Sequence, residues 1–395
     1  MTTDTNPVVS IIVPARNEEA CLGACLGSLV AQTGITFEII VVDDDSTDRT
    51  AEIARSFPGI HVISAGPLPD NWTGKNNAMS AGPKAAKGKW LLFTDADTVH
   101  QPGSLARAVA EAEQHGAALL SYSPAQEVRG FWEKAVMPVI FAELAATYPP
   151  KKVNDPASPI AAANGQYLLI SREAYDAVGG HTKIASELLE DVAMARLVKR
   201  SGRKIFFRYG GDAVRTRMYR SFAQMKEGWT KNLALLFPPV SNVVCWRLTE
   251  FIFIMLNLTT SAFFLVLRSP EIGALMGVTS VDLGVVLTPA FLALIVWAMF
   301  WMRIRKAHFS TPSNLLAIFG LPLFSYLLLT SARLHRKGEI AWKDRNYKPS
   351  PIRRLVPTRL GRRGAAFLVV TVSSALLFIT FFVLLAHNSY LLHHR

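Results

Sequence analysis

The sequence predicts an α/β domain with an open, mainly parallel sheet, followed by an α-helical membrane region. Short apolar runs alternate with amphipathic stretches in the first half, which is the spacing of strands and helices in such a sheet. In the second half, apolar residues concentrate after Trp246, in segments of about the length that crosses a bilayer. We expect residues 1–235 to form the first domain and residues 236–395 to form the membrane region.

Each strand predicted in the first half ends in polar or acidic residues. The runs are β-branched or strongly apolar, as expected for strands buried on both faces. The helices between them are signalled by amphipathic spacing, and Ser46 or Asp45 is placed to cap the second of them. The predicted strands are residues 8–13, 38–42, 61–64 and 90–95, and the helices between them are residues 16–32, 48–57 and 74–87.

Three polar clusters follow separate strands of this sheet, at residues 14–18, 43–48 and 95–97. Because ligands collect at the carboxyl ends of parallel strands, we expect the three clusters to share one edge. Side chains alternate along an extended chain, so Asp95 and Asp97 point the same way. Two such carboxylates suit a hard divalent cation, which in turn binds a diphosphate. An isolated Asp-x-Asp also occurs in a plain turn that follows a strand. The prediction of a cation site therefore depends on the three polar clusters lying at the same edge of the sheet.

Composition and missing motifs narrow the function. No Gly-x-Gly-x-x-Gly or Walker-type loop occurs in the sequence, so neither a dinucleotide enzyme nor a P-loop NTPase is supported. The formal net charge is +12, and much of the excess lies in residues 333–363, between apolar segments, which favours a membrane surface over nucleic acid. The three cysteines form no disulfide framework. The polar N-terminus lacks the apolar core of a signal peptide, so we expect a cytosolic first domain.

Five motifs follow one another along the chain, namely VSIIVPARNE at residues 9–18, VDDDSTD at 42–48, FTDAD at 93–97, ANGQYLLISREAYDAVGG at 163–180 and LEDVAMARLVKRSGR at 189–203. These motifs resemble those of the family 2 glycosyltransferases, which have the GT-A fold, a Rossmann-like nucleotide-sugar-binding α/β domain. Together with the membrane segments and the stretch from Arg220 to Asn232, they most resemble the membrane-bound lipid glycosyltransferases associated with hopanoids and carotenoids.

The resemblance assigns a role to each candidate site residue. Asp44 is expected to accept a hydrogen bond from uracil, and Asp97 to be the main ligand of Mg²⁺ or Mn²⁺. Asp95 is expected to contact the metal or the ribose. Asp191 is the expected general base, with Glu190 beside it, although acidic residues at a helix start also occur as compensation of the helix dipole. The expected donor-binding residues are Pro14, Glu18, Asp44, Lys75, Asp95, Asn164, Gly165 and Gln166.

The implied function is an inverting, metal-dependent transfer of one sugar from a nucleotide-sugar donor, expected to be UDP-linked, to a lipid at the cytosolic membrane face. Processive relatives carry Gln-x-x-Arg-Trp, whereas the residues from Gln224 to Trp229 include no arginine, which favours single transfer. Trp229 and Arg220 are candidates for contact with the acceptor or the membrane interface. The alternatives are a polyprenyl-phosphate sugar synthase and a non-catalytic nucleotide-sugar-binding membrane scaffold.

The membrane region is expected to make the protein a multi-pass protein of the cytoplasmic membrane. With the first domain in the cytosol, a full third crossing would place the basic residues 333–363 outside, against the usual charge bias. Gly320 and Pro322 lie at the centre of the third segment, where a helix is easily broken. We therefore favour two spans, a re-entrant or bent third segment and a final span, with a four-span bundle as the alternative. The expected segments lie near residues 248–267, 283–302, 315–331 and 365–386.

Overall fold

A seven-stranded sheet and a smaller three-stranded sheet carry the first half of the chain. The structure, a computed structural model, describes residues 6–347 apart from Thr279 and Asp344. The strands of the two sheets are β1 (Val9–Ala15), β2 (Phe37–Asp43), β3 (Ile60–Ser64), β4 (Trp90–Phe93), β5 (Thr98–His100), β6 (Leu119–Ser123), β7 (Ala125–Gln126), β8 (Leu168–Ser171), β9 (Ile205–Tyr209) and β10 (Val214–Thr216).

The large sheet is mainly parallel, with the strand order β3-β2-β1-β4-β8-β6-β9. Only β8 runs antiparallel to its neighbours, and it pairs with β4 on one side and β6 on the other. Since β8 runs in the opposite direction, its first residues lie at the same sheet edge as the last residues of β4, with Leu168 opposite Phe93. The expected α/β class is therefore confirmed.

Among the described residues, nine α-helices surround the sheets or join them. The first begins at Leu22, later than the sequence predicts, because Asn17 adopts a φ of 52° and residues 16–19 form a loop. The amide of Glu18 donates to Thr50 Oγ1 at 2.7 Å, which stabilises that loop without helical hydrogen bonds. The helices are α1 (Leu22–Val30), α2 (Thr50–Arg55), α3 (Gly74–Ala85), α4 (Ser104–His115), α5 (Phe131–Thr147), α6 (Pro150–Val153), α7 (Arg172–Ala177), α8 (Glu190–Arg200) and α9 (Phe222–Leu236).

The described residues divide into two compact units. The α/β unit comprises residues 6–133, 143–236 and 330–347, and the helical unit comprises residues 134–142 and 237–329. The predicted fourth membrane segment, residues 365–386, lies outside the described residues. The elements after α9 are α10 (Val240–Leu267), α11 (Pro270–Leu275), α12 (Leu283–Ile304), α13 (Thr311–Lys337), β11 (Ile340–Trp342) and β12 (Arg345–Tyr347).

Within the part of the chain that the structure describes, three helices are long and apolar enough to cross a membrane, namely Val240–Leu267, Leu283–Ala307 and Thr311–Lys337. Within the helical unit α10 and α12 pack antiparallel. Ser261 Oγ, late in α10, donates to the Val286 carbonyl, early in α12, at 2.7 Å, and Arg303 Nη2, at the end of α12, lies 2.7 Å from Glu250 Oε2 in the first half of α10. The Glu250 charge near the start of α10 is therefore paired.

Helix α13 continues through Gly320 and Pro322, where the sequence suggested a re-entrant hairpin. Gly320 instead permits a close approach of two helices, because a Cβ there would lie 1.9 Å from the Ala135 carbonyl oxygen of α5. A proline removes one helical hydrogen bond without reversing the chain. Gly320 is therefore required for close packing of two helices, and it does not interrupt the helix.

Candidate active site

The loops after β1, β2 and β4 meet at one edge of the large sheet. Pro14 stands opposite Val42 in the register of β1 and β2, and the amide of Asp44 donates to the Ala15 carbonyl at 2.9 Å. On the other side of β1, the amide of Thr94 donates to the Ile12 carbonyl at 3.1 Å. The structure therefore brings the three polar clusters of the sequence to one edge.

The loop that carries Asp95 and Asp97 is held by hydroxyl groups from the small sheet. Thr98 Oγ1 donates to the Asp95 carbonyl at 2.7 Å, and Thr216 Oγ1 donates to the Asp97 carbonyl at 3.1 Å. The His100 ring lies behind them, with Nε2 3.2 Å from Thr98 Oγ1. Burial lowers the pKa of His100 to about 3, so the ring is neutral and acts as a hydrogen-bonding support.

Lys75, in the first turn of α3, joins two carboxylates from distant parts of the chain. Its Nζ lies 2.8 Å from Asp95 Oδ1 and 2.7 Å from Glu190 Oε1. Burial alone would lower the pKa of Lys75, but Asp95 and Glu190 outweigh this effect and hold it well above its ordinary value. The charged lysine therefore links the loop after β4 to the start of α8.

Glu190 and Asp191, the first residues of α8, have different environments. Burial favours a higher pKa for Glu190, but Lys75 outweighs it and holds the pKa below its ordinary value. Asp191 accepts hydrogen bonds from the amides of Gly165 at 2.9 Å and Val192 at 2.7 Å. Burial and the neighbouring Glu190 charge nevertheless raise the pKa of Asp191 to about 6. Two carboxylates whose pKa values are pushed apart can divide the work of charge stabilisation and proton transfer.

Residues 164–166 lie between these carboxylates and the sheet. The amide of Asn164 donates to Ser121 Oγ at 2.8 Å, and its Oδ1 accepts from the amide of Gln166 at 2.9 Å. At Gly165, an added Cβ would lie 3.2 Å from both Glu190 Oε1 and Lys75 Nζ. A side chain there would crowd the site, so the glycine allows the backbone to reach Asp191.

The residues around Asp97 have the chemistry that fits a divalent cation. Asp97 Oδ1 is buried and has no hydrogen-bond partner among the described residues. Burial, with the Asp95 and Glu18 charges, raises the pKa of Asp97 to about 7, which marks an uncompensated negative charge. In the described part of the chain no group of three or more His, Cys, Asp or Glu residues is arranged to hold a metal. One or two carboxylates suffice for Mg²⁺ when phosphate oxygens and water supply the other ligands.

The other candidate donor residues, Glu18 and Asp44, are paired with cations that the sequence did not reveal. Arg345 binds both carboxylate oxygens of Asp44, and Lys343 binds the Glu18 carboxylate. Both cations come from the β11–β12 hairpin, about 300 residues away in sequence. Ordinary basic residues at that separation carry no sequence signal.

Two further candidates stand apart from the carboxylates. Trp229 is 4% exposed in α9, and its ring lies 6.1 Å from that of Tyr219, so its large face is turned into the α/β unit. Arg220 is exposed, and its Nη2 donates to the Ala20 carbonyl at 3.0 Å. The structure therefore brings Arg220 to the loop after β1, whereas Trp229 contributes to packing.

Comparison with known proteins finds similarity to glycosyltransferases. Residues 10–179 match the model described as glycosyl transferase family 2. A 4,4'-diaponeurosporenoate glycosyltransferase of Staphylococcus aureus strain USA300 is 30% identical over 234 residues, which are 57% of this chain and 60% of that protein. Its counterpart in strain MRSA252 is 27% identical over 358 residues, covering 87% of this chain and 88% of that protein. The resemblance of the motifs to family 2 glycosyltransferases is thus confirmed over residues 10–179.

Among solved structures, a mannosyltransferase of Pyrobaculum calidifontis in complex with GDP-mannose and Mn²⁺ aligns with a TM-score of 0.47. The two chains are 16% identical, and the alignment covers 84% of this chain and 87% of that one.

Replacing Lys75 tests the link between the two carboxylates. We expect Lys75→Met to lower the free energy of unfolding by about 1–2 kcal/mol in metal-free buffer, since two charge-assisted hydrogen bonds are lost from a side chain that solvent partly screens. Thermal unfolding in detergent measures the change. The matched control is Lys84→Met on the same helix, where the side chain is exposed. Equal effects of the two substitutions would contradict the link.

Proposed function

Since this chain carries a family 2 glycosyltransferase domain, we propose that it transfers one sugar, with inversion, from a UDP-linked donor to a lipid hydroxyl group. The observation that carries this proposal is Lys75, which joins the carboxylate pair after β4 to the pair that begins α8. One pair is placed for the leaving diphosphate and the other for the incoming acceptor.

Asp191 is the proposed general base. Its raised pKa of about 6 keeps it ionised at neutral pH while making it a better proton acceptor than an ordinary aspartate. As the acceptor oxygen bonds to the anomeric carbon, the bond from that carbon to the diphosphate oxygen breaks, and the hydroxyl proton passes to Asp191. The nucleoside diphosphate leaves as an anion, so charges balance.

Asp97 and Asp95 are the proposed protein ligands of the divalent cation, Mg²⁺ or Mn²⁺. A cation held there supplies positive charge to the leaving diphosphate. The buried, unpartnered Oδ1 of Asp97 supports this role, whereas Asp95 also holds Lys75. We therefore assign Asp97 as the main ligand, and residues 164–166 as the surface beneath the sugar.

A lipid acceptor is supported by an aromatic patch on the α/β unit. The side chains of Phe131, Trp132 and Phe222 are between 38% and 51% exposed. The centre of the Trp132 ring lies 5.1 Å from that of Phe131 and 5.3 Å from that of Phe222. Exposed aromatic clusters of this kind favour the interface of a membrane. The name of the Staphylococcus aureus relative contains a carotenoid acid, which agrees with an apolar acceptor, although the first match spans only 60% of that relative.

The path of the chain supports two membrane crossings in the described part. The α/β unit contains residues both before α10 and after α13, and the two parts are joined where the Ala234 amide donates to Ser331 Oγ at 2.9 Å. Three crossings by α10, α12 and α13 would separate these parts. We therefore propose that α10 and α12 cross as an antiparallel pair and that α13 does not cross. The basic end of α13 then stays on the cytosolic side, as the charge bias requires.

A transfer assay tests the proposed reaction. Membranes containing the protein are incubated with labelled UDP- and GDP-sugars and a divalent cation, and the lipid extract is analysed. We expect label in the lipid fraction from a UDP-sugar, at least about a hundredfold less with Asp97→Ala, and none after chelation. The matched control is Asp45→Ala, because the Asp45 side chain is 89% exposed in the neighbouring loop. Label only in insoluble polysaccharide would contradict single transfer, and label from GDP-sugars alone would contradict the proposed donor.

The pH dependence tests Asp191. A base with a raised pKa of about 6 is active only when ionised, so the rate should fall about tenfold per pH unit below pH 6 and level off above it. We expect Asp191→Asn to reduce transfer by about a thousandfold or more. If Asp191→Asn keeps most of the activity, the acceptor is already ionised, as in a polyprenyl-phosphate sugar synthase, and the base role is wrong.

Cysteine labelling tests the number of crossings. In a variant whose exposed Cys245 is replaced by serine, Glu271→Cys and Arg336→Cys are treated with an impermeant maleimide on intact cells. We expect labelling of residue 271 from outside and labelling of residue 336 only after permeabilisation. Labelling of residue 336 from outside would show a third crossing.

A further inference from the structure

The β11–β12 hairpin places an arginine on the carboxylate proposed to bind the nucleobase. Arg345 Nη1 donates to Asp44 Oδ2 at 2.5 Å, and Nη2 donates to Oδ1 at 3.2 Å. The Asp44 side chain is only 8% exposed beneath this guanidinium. Both carboxylate oxygens are therefore engaged, in the two-pronged geometry that makes such pairs strong.

The guanidinium also fills the space above the start of α3. A Cβ added at Gly74 would lie 1.7 Å from Arg345 Nη1 and 2.5 Å from Asp44 Oδ2. Gly74 directly precedes Lys75, which faces the proposed diphosphate end of the site. Arg345 thus occupies room between the base-binding carboxylate and the rest of the donor pocket.

Lys343, in the turn between β11 and β12, makes a second contact of the same kind. Its ammonium group binds the Glu18 carboxylate and donates to the Arg16 carbonyl at 2.7 Å. Glu18, like Asp44, was expected from the sequence to bind the donor. The hairpin therefore pairs a cation with each of two acidic donor residues.

The hairpin is seated on the α/β unit by apolar contacts as well as by charge. Ile340 is 2% exposed and packs with Leu188 and Leu235, just before the carboxylates of α8. The Lys231 ammonium group lies 5.2 Å from the centre of the Trp342 ring. These contacts hold the described hairpin residues in a defined position, so Arg345 is delivered to Asp44 by packing.

A nucleobase that binds Asp44 meets a carboxylate already paired with Arg345. A uracil imide that donates its N–H to Asp44 has to approach oxygens that both accept from the guanidinium, on a side chain that is only 8% exposed beneath it. We propose that Arg345 is an internal competitor of the nucleobase, which must displace it from Asp44 before the donor can bind. Arg345 then lowers the apparent affinity for every donor by the fraction of protein in which Asp44 is free. This inference rests on the proposed donor pocket.

Calorimetric titration of the purified full-length protein with uridine and with UDP tests the competition. We expect Arg345→Gln to tighten the binding of both ligands by a similar factor, about fivefold or more, because the competition concerns the base they share. The matched control is Arg336→Gln, which removes the same charge from an exposed position of α13 and should change neither affinity.

Other outcomes separate the possible failures. If Arg345→Gln weakens UDP binding and leaves uridine binding unchanged, Arg345 is a diphosphate ligand and the competition is overturned. If Asp44→Asn weakens binding but Arg345→Gln equals the wild type, the donor pocket stands and only the competition fails. If neither the wild type nor Arg345→Gln binds uridine or UDP, both the pocket and the competition fail.

Hydrogen exchange gives a second measure that does not depend on a variant. We expect saturating UDP to increase exchange of the amides in Ile340–Trp342 and Arg345–Tyr347, since displacement of Arg345 loosens the hairpin. The amides of residues 43–46 should become more protected at the same time. Increased protection of the hairpin on UDP binding would mean that it closes over the nucleotide, and would overturn the proposal.

Discussion

Electrostatic crowding at one sheet edge is the constraint on which the rest of the site depends. Loops from β1, β2 and β4 and the start of α8 bring six carboxylates together, and like charges at such distances destabilise a fold unless cations or protons offset them. The compensation is local: Lys75, Lys343 and Arg345 each bind one or two of the acids. Two of the six acids are left without such a partner. Asp191 accepts from the amides of Gly165 and Val192 instead, whereas the buried Oδ1 of Asp97 has no hydrogen-bond partner among the described residues, which supports the proposed cation site there.

The distribution of cations also separates two neighbouring acids into different roles. Glu190 faces Lys75 and stays charged, while Asp191 turns to the amides of Gly165 and Val192 and is left with the raised pKa. In the sequence both acids lie at a helix start, where the helix dipole stabilises the charge of either one. Only the position of Lys75, contributed by a different helix, gives the two acids different environments and supports the proposal that Asp191 is the base.

The sheet edge was predictable because parallel strands place their ends together, and the runs ending at Pro14, Asp43 and Asp95 follow directly from apolar patterning. Local deviations from regular structure were not predictable. The left-handed conformation of Asn17 delays the first helix to Leu22, and the residues around Asn17 do not indicate this conformation in the sequence. Gly320 was expected to interrupt the third apolar segment, but the helix is continuous there. Glycine is favoured both at helix breaks and at close contacts between helices, so the residue type alone does not separate the two. Whether Trp229 meets an acceptor depends on tertiary packing, which its neighbours in sequence do not encode.

The return of residues 330–347 to the α/β unit has a practical consequence for anyone who wants this protein in soluble form. Ending the chain at Leu236 would expose the apolar faces of Leu188 and Leu235 that Ile340 covers, and would leave Asp44 without its counter-ion. We expect such a truncated chain to aggregate. A chain in which a short flexible linker joins Leu236 directly to Thr330 would keep both parts of the unit and omit the long apolar helices between them. The natural unit of engineering is thus discontinuous in sequence.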